Sequence, residues 1–341
     1  MKITIKEIAK LAGVSISTVS KILNNYDDVS DETKQRVMKI IEEHRYQPSF
    51  SSRASAAKKS NLIGVIYAGK VNAEFNHLFF IDVINSFKKR IGLLGYDLIF
   101  FSNEKFHSAG EDYLARCNYY QVDGCVLING NELEPSISEL DQSDIPCIGI
   151  DLELKGKRSG FIMSDNSKIA YKVVEQFYLQ GYKEIGFLGA TMSPISKMRE
   201  ESFKQAMQNF GLTINDNWFA NGSDFFEESG YTAMSSILQQ GPPPTALFAA
   251  SDLLAIGAMR ALKEHGYSTP HDVAIIGCDD IEACKYIDPP LTTVRQDKEK
   301  IGLLAALMLF DLINNQLSSS SVMVEPELII RQTCNLQVEP L

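Results

Sequence analysis

Residues 4–25 read TIKEIAKLAGVSISTVSKILNN, and this stretch decides how the front of the chain is built. Ile5, Ile8, Ala9 and Ala12 recur at helical spacing, which predicts a short amphipathic helix over Lys6–Ala12. Gly13 interrupts it, as a turn that needs positive φ requires. Ser15 is placed to cap a second helix, ISTVSKIL, whose apolar face is Val19, Ile22 and Leu23. Ala9 is small enough for two helices to cross closely, and Val14 and Val19 lock the pair. That arrangement is a helix-turn-helix, whose second helix enters the major groove of DNA. Its exposed face carries Ile16, Ser17, Ser20 and Lys21. Ile16 suits a thymine methyl, and Ser17 and Lys21 suit base edges. Thr18, Asn24 and Asn25 have the size for phosphate contacts. Thr4 and Ser15 complete the DNA-facing candidates. Ser30 is placed to cap a third helix, with Asp31 and Glu32 in its first turn and Val37, Ile40 and Ile41 inward.

Charge supports this reading. The 341-residue chain carries −10 overall, yet residues 1–60 hold 11 basic and 7 acidic side chains, leaving the rest at −14. A basic head on an acidic body confines a polyanion to the head. Residues 48–60, PSFSSRASAAKKS, are small, polar and basic and read as a linker, either disordered or a helix ordered by DNA.

The length fits two or three domains, and 45% apolar with 22% charged residues is the balance of a folded chain. No apolar run nears the roughly 18–20 residues that cross a bilayer, so no membrane partner is expected. The N-terminus lacks a signal-peptide pattern, so the cytoplasm, and there the nucleoid, is the expected location. The six cysteines form no CxxC pair and read as reduced and buried. Neither a metal nor a cofactor is expected.

From Asn61 onward, strands alternate with helices. LIGVIY, DLIFF, VDGCVLI and CIGI are strands, with helices over Phe79–Leu94 and residues 110–120. The pattern then restarts with a helix over Asn166–Leu179 that ends at Gly181. The strands EIGFLG, ALFAA and VAIIG follow, with helices near 197–210, 228–239 and Asp252–His265. Short apolar strands between helices imply parallel sheets covered on both faces, here two doubly wound subdomains. Ser318–Ser321 reads as a loop of four serines.

The front stretch closely resembles the headpiece of the lactose/galactose-repressor (LacI/GalR) family of bacterial transcription regulators. HLFF, GYDLIFF, VDG, IPCIGID, SDN, GYKEIGFLG, RxxSFxxAM, SDLLAIGAMRAL, GCDD and PPLTTVRQD resemble that family's signposts, in its order. The resemblance implies an all-α headpiece (1–47), a hinge (48–60) and an α/β core (61–341) like the type I periplasmic sugar-binding proteins. In that fold the subdomains are discontinuous, here about 61–162 with 293–318, and about 163–292 with 319–341. By position, Ile16, Ser17 and Lys21 fall on the family's base-reading sites. The family's hinge reads Ala-Arg-x-Leu, with the leucine wedged into the minor groove. This chain has Ser52-Arg53-Ala54-Ser55: Arg53 is kept, but Ser55 cannot fill an opened base step as leucine does. Less bending or weaker operator affinity is expected.

Ligands of doubly wound sheets bind at the carboxyl ends of strands. The resemblance places Phe79 and Phe80 along such a cleft, Arg199 on ligand hydroxyls or carboxylate, and Phe225 as a stacking platform. Ser251, Asp279 and Gln296 complete the effector-facing set. Asp252 reads as a helix cap, Asp280 as structural and Trp218 as loop packing. Aromatic faces, one guanidinium and a carboxylate suit a sugar or sugar phosphate, although the same scaffold binds nucleobases. The expected function is repression by a homodimer on near-palindromic double-stranded DNA, under a sugar-like effector. An α/β enzyme is the rival, but the chain has no GxGxxG, GxxxxGK[ST], GxSxG or HExxH motif. A plain sugar-binding protein without DNA activity is the third reading.

Overall fold

A computed structural model of the chain describes residues 3–23, 26, 28–44, 46, 59–67, 77–102, 112–128, 135–191 and 193–334. Asn24, Asn25, Arg53, Ser55 and hinge positions 48–58 lie outside the described residues. The chain divides into two compact units, residues 1–62 with 117–123, and residues 63–116 with 124–341.

The first unit holds α1 (Ile5–Ala12), α2 (Ile16–Leu23) and α3 (Asp31–Glu43). Ile8, Ala9, Ala12, Val19, Ile22, Val37 and Ile41 form its core, and Ile40 packs at the margin. The α1–α2 turn rests on Gly13, whose φ of +66° a side chain rarely adopts, with the Val14 amide bonded to the Ala9 carbonyl at 3.0 Å. Ser15 caps α2 as expected, its Oγ accepting from the Thr18 amide at 3.0 Å. Ser30 stands at the cap position of α3, but its hydroxyl donates to Thr33 Oγ1 at 2.9 Å and caps no backbone amide.

In the second unit, the first half is a sheet in the order β11-β5-β4-β3-β1-β2. Its strands are β1 (Leu62–Tyr67), β2 (Asp97–Phe100), β3 (Gly124–Ile128), β4 (Cys147–Ile150), β5 (Ser159–Ser164) and β11 (Ser320–Val324). Helices α4 (Leu78–Leu93), α5 (Tyr113–Tyr120) and α6 (Pro135–Asp141) follow β1, β2 and β3. The second half orders β12-β10-β9-β8-β6-β7. Those strands are β6 (Ile185–Ala190), β7 (Phe219–Gly222), β8 (Ala246–Ala249), β9 (Ala274–Cys278), β10 (Thr292–Arg295) and β12 (Glu327–Ile329). Its helices are α7 (Asn166–Leu179), α8 (Pro194–Asn209), α9 (Glu227–Gln240) and α10 (Asp252–Glu264). Strand β1 pairs with β3, β3 with β4, β4 with β5, β5 with β11, β6 with β7 and β8, and β9 with β8 and β10, all in parallel, whereas β10 and β12 are antiparallel. Buried strands such as β3 and β9 are apolar throughout because both sheet faces are covered. Helices α9 and α10 meet where Gly257 comes so near the Glu227 carbonyl oxygen that an added Cβ would stand 1.9 Å from it.

The chain crosses between halves after β5, after β10 and after β11. Helix α11 (Lys298–Ile313) packs against α4 and so returns to the first half. The crossings fall near 165, 296 and 325, a few residues beyond the expected 162, 292 and 318. The serine loop is therefore also corrected: Ser320 and Ser321 pair with Gly160 and Phe161 as the start of β11.

Candidate functional site

In the first unit, burial of Val19 and Ile22 on one side of α2 turns the other side outward. Ile16 is 44% exposed, Ser17 and Lys21 are exposed, and Thr18 and Ser20 are half-buried. The three base-reading candidates thus share one accessible helix face. Ser15, Ser17 and Thr18 form a hydroxyl cluster, with Ser15 Oγ 2.7 Å from Ser17 Oγ and 2.8 Å from Thr18 Oγ1. Lys21 is ion-paired with Asp28, which holds the Asp28 carboxyl below its ordinary range through the hydrogen bond from the ammonium. Thr4 is engaged in a capping box: its Oγ1 donates to Glu7 Oε2 at 2.9 Å, and its amide donates to the same oxygen at 2.7 Å.

In the second unit, the carboxyl ends of β4, β5, β9 and β10 bring Asp151, Ser164, Asp279 and Gln296 together with Arg199 of α8. Asp151, Asp279 and Asp280 have φ of +53°, +122° and +52°, positions costly for non-glycine residues and concentrated at ligand sites. Arg199 is 3% exposed, donating from Nε to Asn166 Oδ1 at 2.8 Å and from Nη1 to the Ala250 carbonyl at 2.6 Å. Gln296 donates from Nε2 to Asp279 Oδ1 at 2.6 Å. Burial, then the nearby Asp252 carboxylate, raises the Asp279 carboxyl to about 8, with Arg199 opposing. Burial raises Asp151 to about 6, again against Arg199. Asp151 Oδ1, Gln296 Oε1, Ser164 Oγ and His77 Nδ1 are buried without a hydrogen-bond partner among the described residues.

Aromatic rings from both halves meet at His77, just before α4. Its centroid lies 5.0 Å from Phe80, 5.8 Å from Phe226, 6.1 Å from Phe225 and 6.4 Å from Phe79. Burial lowers the imidazole to about 4, helped by Arg199 and opposed by Asp224, so the ring is neutral at pH 7. The expected Phe79, Phe80 and Phe225 are thus brought together, as are Arg199, Asp279 and Gln296. Ser251 is not free to face the cleft: its hydroxyl donates to the Phe225 carbonyl at 2.8 Å and caps α10 through the Leu254 amide at 3.1 Å. Ser251, and not Asp252, is therefore the cap. Asp252 is buried and accepts from the Ile281 amide at 2.9 Å and from the Thr293 hydroxyl. Asp280 binds Arg295 and Arg331, a structural role as expected, and Trp218 Nε1 donates to the Pro242 carbonyl at 3.3 Å.

His77, Asp151, Ser164 and Asn166 lie within HLFF, IPCIGID and SDN, but the sequence reading gives none of them a role in the site. Asp151 could have been given one, because it follows CIGI directly as Asp279 follows a strand. His77 opens HLFF, but its contact with Phe225 and Phe226, almost 150 residues away, has no local pattern to announce it.

Residues 4–49 match the family model for bacterial regulatory proteins of the lacI family, and residues 174–334 match that for a periplasmic binding protein-like domain. The chain is 32% identical over 334 residues to an HTH-type transcriptional repressor PurR of Pasteurella multocida (strain Pm70), covering 97% of this chain and 98% of that one. Among solved structures it is similar to a lac repressor dimer bound to operator and the anti-inducer ONPF (TM-score 0.83, 24% identity, 98% and 99% covered). It is also similar to a transcriptional regulator CelR–cellobiose complex (TM-score 0.72, 24% identity, 97% and 99% covered).

Proposed function

This chain belongs to the LacI family of bacterial regulatory proteins, and from that premise we propose how its two sites divide the work of a DNA-binding transcriptional repressor. The headpiece reads operator DNA through Ile16, Ser17 and Lys21, with Thr4, Ser15, Thr18, Ser20, Asn24, Arg53 and Ser55 as supporting contacts. Ile16 packs on a thymine methyl, while Ser17 and Lys21 bond base edges. A homodimer presents two headpieces to a near-palindromic site in the cytoplasm, on the nucleoid. Among the described residues, no helix is long and apolar enough to cross a membrane.

The effector occupies the cleft of Phe79, Phe80, Arg199, Phe225, Asp279 and Gln296, and is a sugar or sugar derivative. Ser251 contributes by fixing the Phe225 backbone. Closure on the ligand favours one arrangement of the two halves over another and so shifts operator affinity. Coupling of about 1–3 kcal/mol, roughly 5–150-fold in affinity, is usual for such a device.

The observation that carries this reading is the single exposed face of α2, with Ile16, Ser17 and Lys21 outside while Val19 and Ile22 are buried. Selection of bound sequences from random duplex DNA tests it. A near-palindromic consensus that changes for Ser17→Ala or Lys21→Ala supports the assignment, and an unchanged consensus for both overturns it. Operator binding that shows no salt dependence would remove the phosphate contacts from the headpiece.

A further inference from the structure

His77 is a buried titratable group to which the effector reading gives no task. It is 8% exposed, and its Nδ1 has no hydrogen-bond partner among the described residues. Burial keeps the imidazole neutral at pH 7. A neutral imidazole carries one N–H and one bare lone pair, so Nδ1 is a donor in one tautomer and an acceptor in the other. Buried and unmet, it is costly in either form.

The rings around it do not meet that need. Phe79 and Phe80 come from the first half, with centroids at 6.4 and 5.0 Å, and Phe225 and Phe226 come from the second, at 6.1 and 5.8 Å. Phe79 and Phe225 both stand edge to face, at 83° to the imidazole plane. Phenyl rings fill the space but supply no strong donor or acceptor. Nor is the second-half wall loose. Asp224 Oδ1 accepts from the Phe226 amide at 3.0 Å and from the Ser229 hydroxyl at 2.6 Å, and the Phe225 carbonyl accepts from the Ser251 hydroxyl at 2.8 Å. The loop that carries both rings is therefore pinned. Turning the imidazole away to find a partner would break its contacts with both halves.

The other effector-facing groups discriminate less. Phe79, Phe80 and Phe225 offer apolar faces that any sugar ring can cover. Arg199 spends Nε on Asn166 and Nη1 on Ala250, and Gln296 spends Nε2 on Asp279. A buried polar atom without a protein partner is what rejects the wrong ligand, because a ligand that lacks the matching group leaves that atom unpaired. Asp151 Oδ1, Gln296 Oε1 and Ser164 Oγ answer this description at strand ends, and His77 Nδ1 answers it among the rings.

We propose that His77 is an effector contact, its Nδ1 hydrogen-bonded to one hydroxyl of the sugar, and that this bond selects the hydroxyl pattern the cleft accepts. This rests on the cleft being the effector site. A hydroxyl both donates and accepts, so it meets Nδ1 in either tautomer. The imidazole keeps its packing on the four phenyl rings, and the bond forms without moving it.

Isothermal titration of the full chain at pH 7 with D-glucose, D-galactose, D-mannose, D-ribose and cellobiose finds the tightest probe. That probe and its monodeoxy analogues are then titrated into wild type, His77→Phe and His77→Asn. His77→Phe keeps an aromatic ring in place and should weaken the probe about tenfold, while His77→Asn, which returns a polar group near Nδ1, should recover part of the loss. Wild type should bind one deoxy analogue about tenfold more weakly than the probe, and His77→Phe should bind the two within about twofold of each other. In wild type alone, heteronuclear NMR of the imidazole nitrogens should show the Nδ1 resonance moved by the probe and not by that analogue. Binding by none of these sugars, His77→Phe binding the probe as wild type does, equal losses for every deoxy analogue in the two proteins, or an Nδ1 resonance left in place by the probe overturns the proposal. The cleft assignment fails differently: Arg199→Met and Gln296→Ala would then bind the probe as wild type does. A probe lost in those two variants but kept by His77→Phe removes His77 and leaves the cleft.

Discussion

Lys21 and Asp28 form an ion pair in the headpiece, the ammonium at the far end of the exposed α2 face held by a carboxylate beyond the helix. Both side chains are about half exposed, at 47% and 53%. An ion pair this open to solvent is weak. DNA must therefore displace Asp28 from Lys21, and can do so at little cost. Asp28→Asn should raise operator affinity modestly, by up to about fivefold at low salt. In a Lys21→Ala background the same substitution should change nothing beyond the long-range loss of one negative charge. Fluorescence anisotropy over the four proteins closes the double-mutant cycle; a full Asp28→Asn gain without Lys21 would show that the pair is not what restrains binding.

The two serine caps of the headpiece should behave unequally. Ser15 Oγ accepts the Thr18 amide at 3.0 Å, whereas Ser30 Oγ is given to Thr33. Ser15→Ala should cost about 1 kcal/mol of headpiece stability, as loss of a working N-cap does. Ser30→Ala should cost a few tenths at most. Hydrogen exchange of amides in α1–α3 of the full chain, about fivefold faster for the first and little changed for the second, checks the contrast.

His77 makes the body sensitive to acid. Its imidazole is lowered from 6.5 to about 4 by burial first, then Arg199. The folded state therefore binds fewer protons than the unfolded chain, and stability falls as pH drops from about 6.5 to about 4. The linked loss is at most about 3 kcal/mol. Asp151, raised to about 6, works the other way, since its contribution is present at acid pH and fades as pH rises through that value. Urea melts of wild type and His77→Leu at pH 7 and pH 5 isolate the histidine: the wild type should lose more stability on acidification than the variant. Equal losses would remove His77 as the cause.

Gly257 should not tolerate a side chain. A Cβ there meets the Glu227 carbonyl oxygen at 1.9 Å and the Tyr231 amide nitrogen at 2.6 Å, both backbone atoms that cannot swing aside. Gly257→Ala must push α9 from α10, and overpacking of this kind costs about 1–3 kcal/mol or more. Gly181→Ala is the useful comparison. Nothing lies within 4 Å of its Cβ position, so its cost comes only from the φ of +85°. Thermal unfolding should rank Gly257→Ala as the more damaging.

Legibility from sequence followed local pattern. Helix α7 is legible at Asn166–Leu179 from its periodicity and from Gly181, at φ +85°, which ends the turn behind it; the structure adds Asp165 as its cap. Strand β7, FANG, and edge strand β12, ELI, have no buried apolar run to announce them. Strand β11 begins in serines that polarity assigns to a loop, yet it is held in place by pairing with β5. Helix α11, KEKIGLLAALMLFDLI, is apolar nearly all round, so it shows no stripe to read as a periodic face. In the cleft, residues directly after a strand were legible. His77 and the unfilled acceptors of Asp151 and Gln296 were not, because what makes them informative is the company they keep across long stretches of chain.

The three crossings have a consequence for how such a receptor can be cut and recombined. Asp165 at the first crossing donates its amide to Val324 at the third, at 2.9 Å, so two of the three spans are stitched to each other. Neither half is a contiguous peptide, and no single breakpoint transplants one ligand-gripping wall intact. Swapping effector preference between homologues by a one-junction chimera would splice mismatched walls. A workable exchange needs several coordinated junctions, or side-chain replacements made in place.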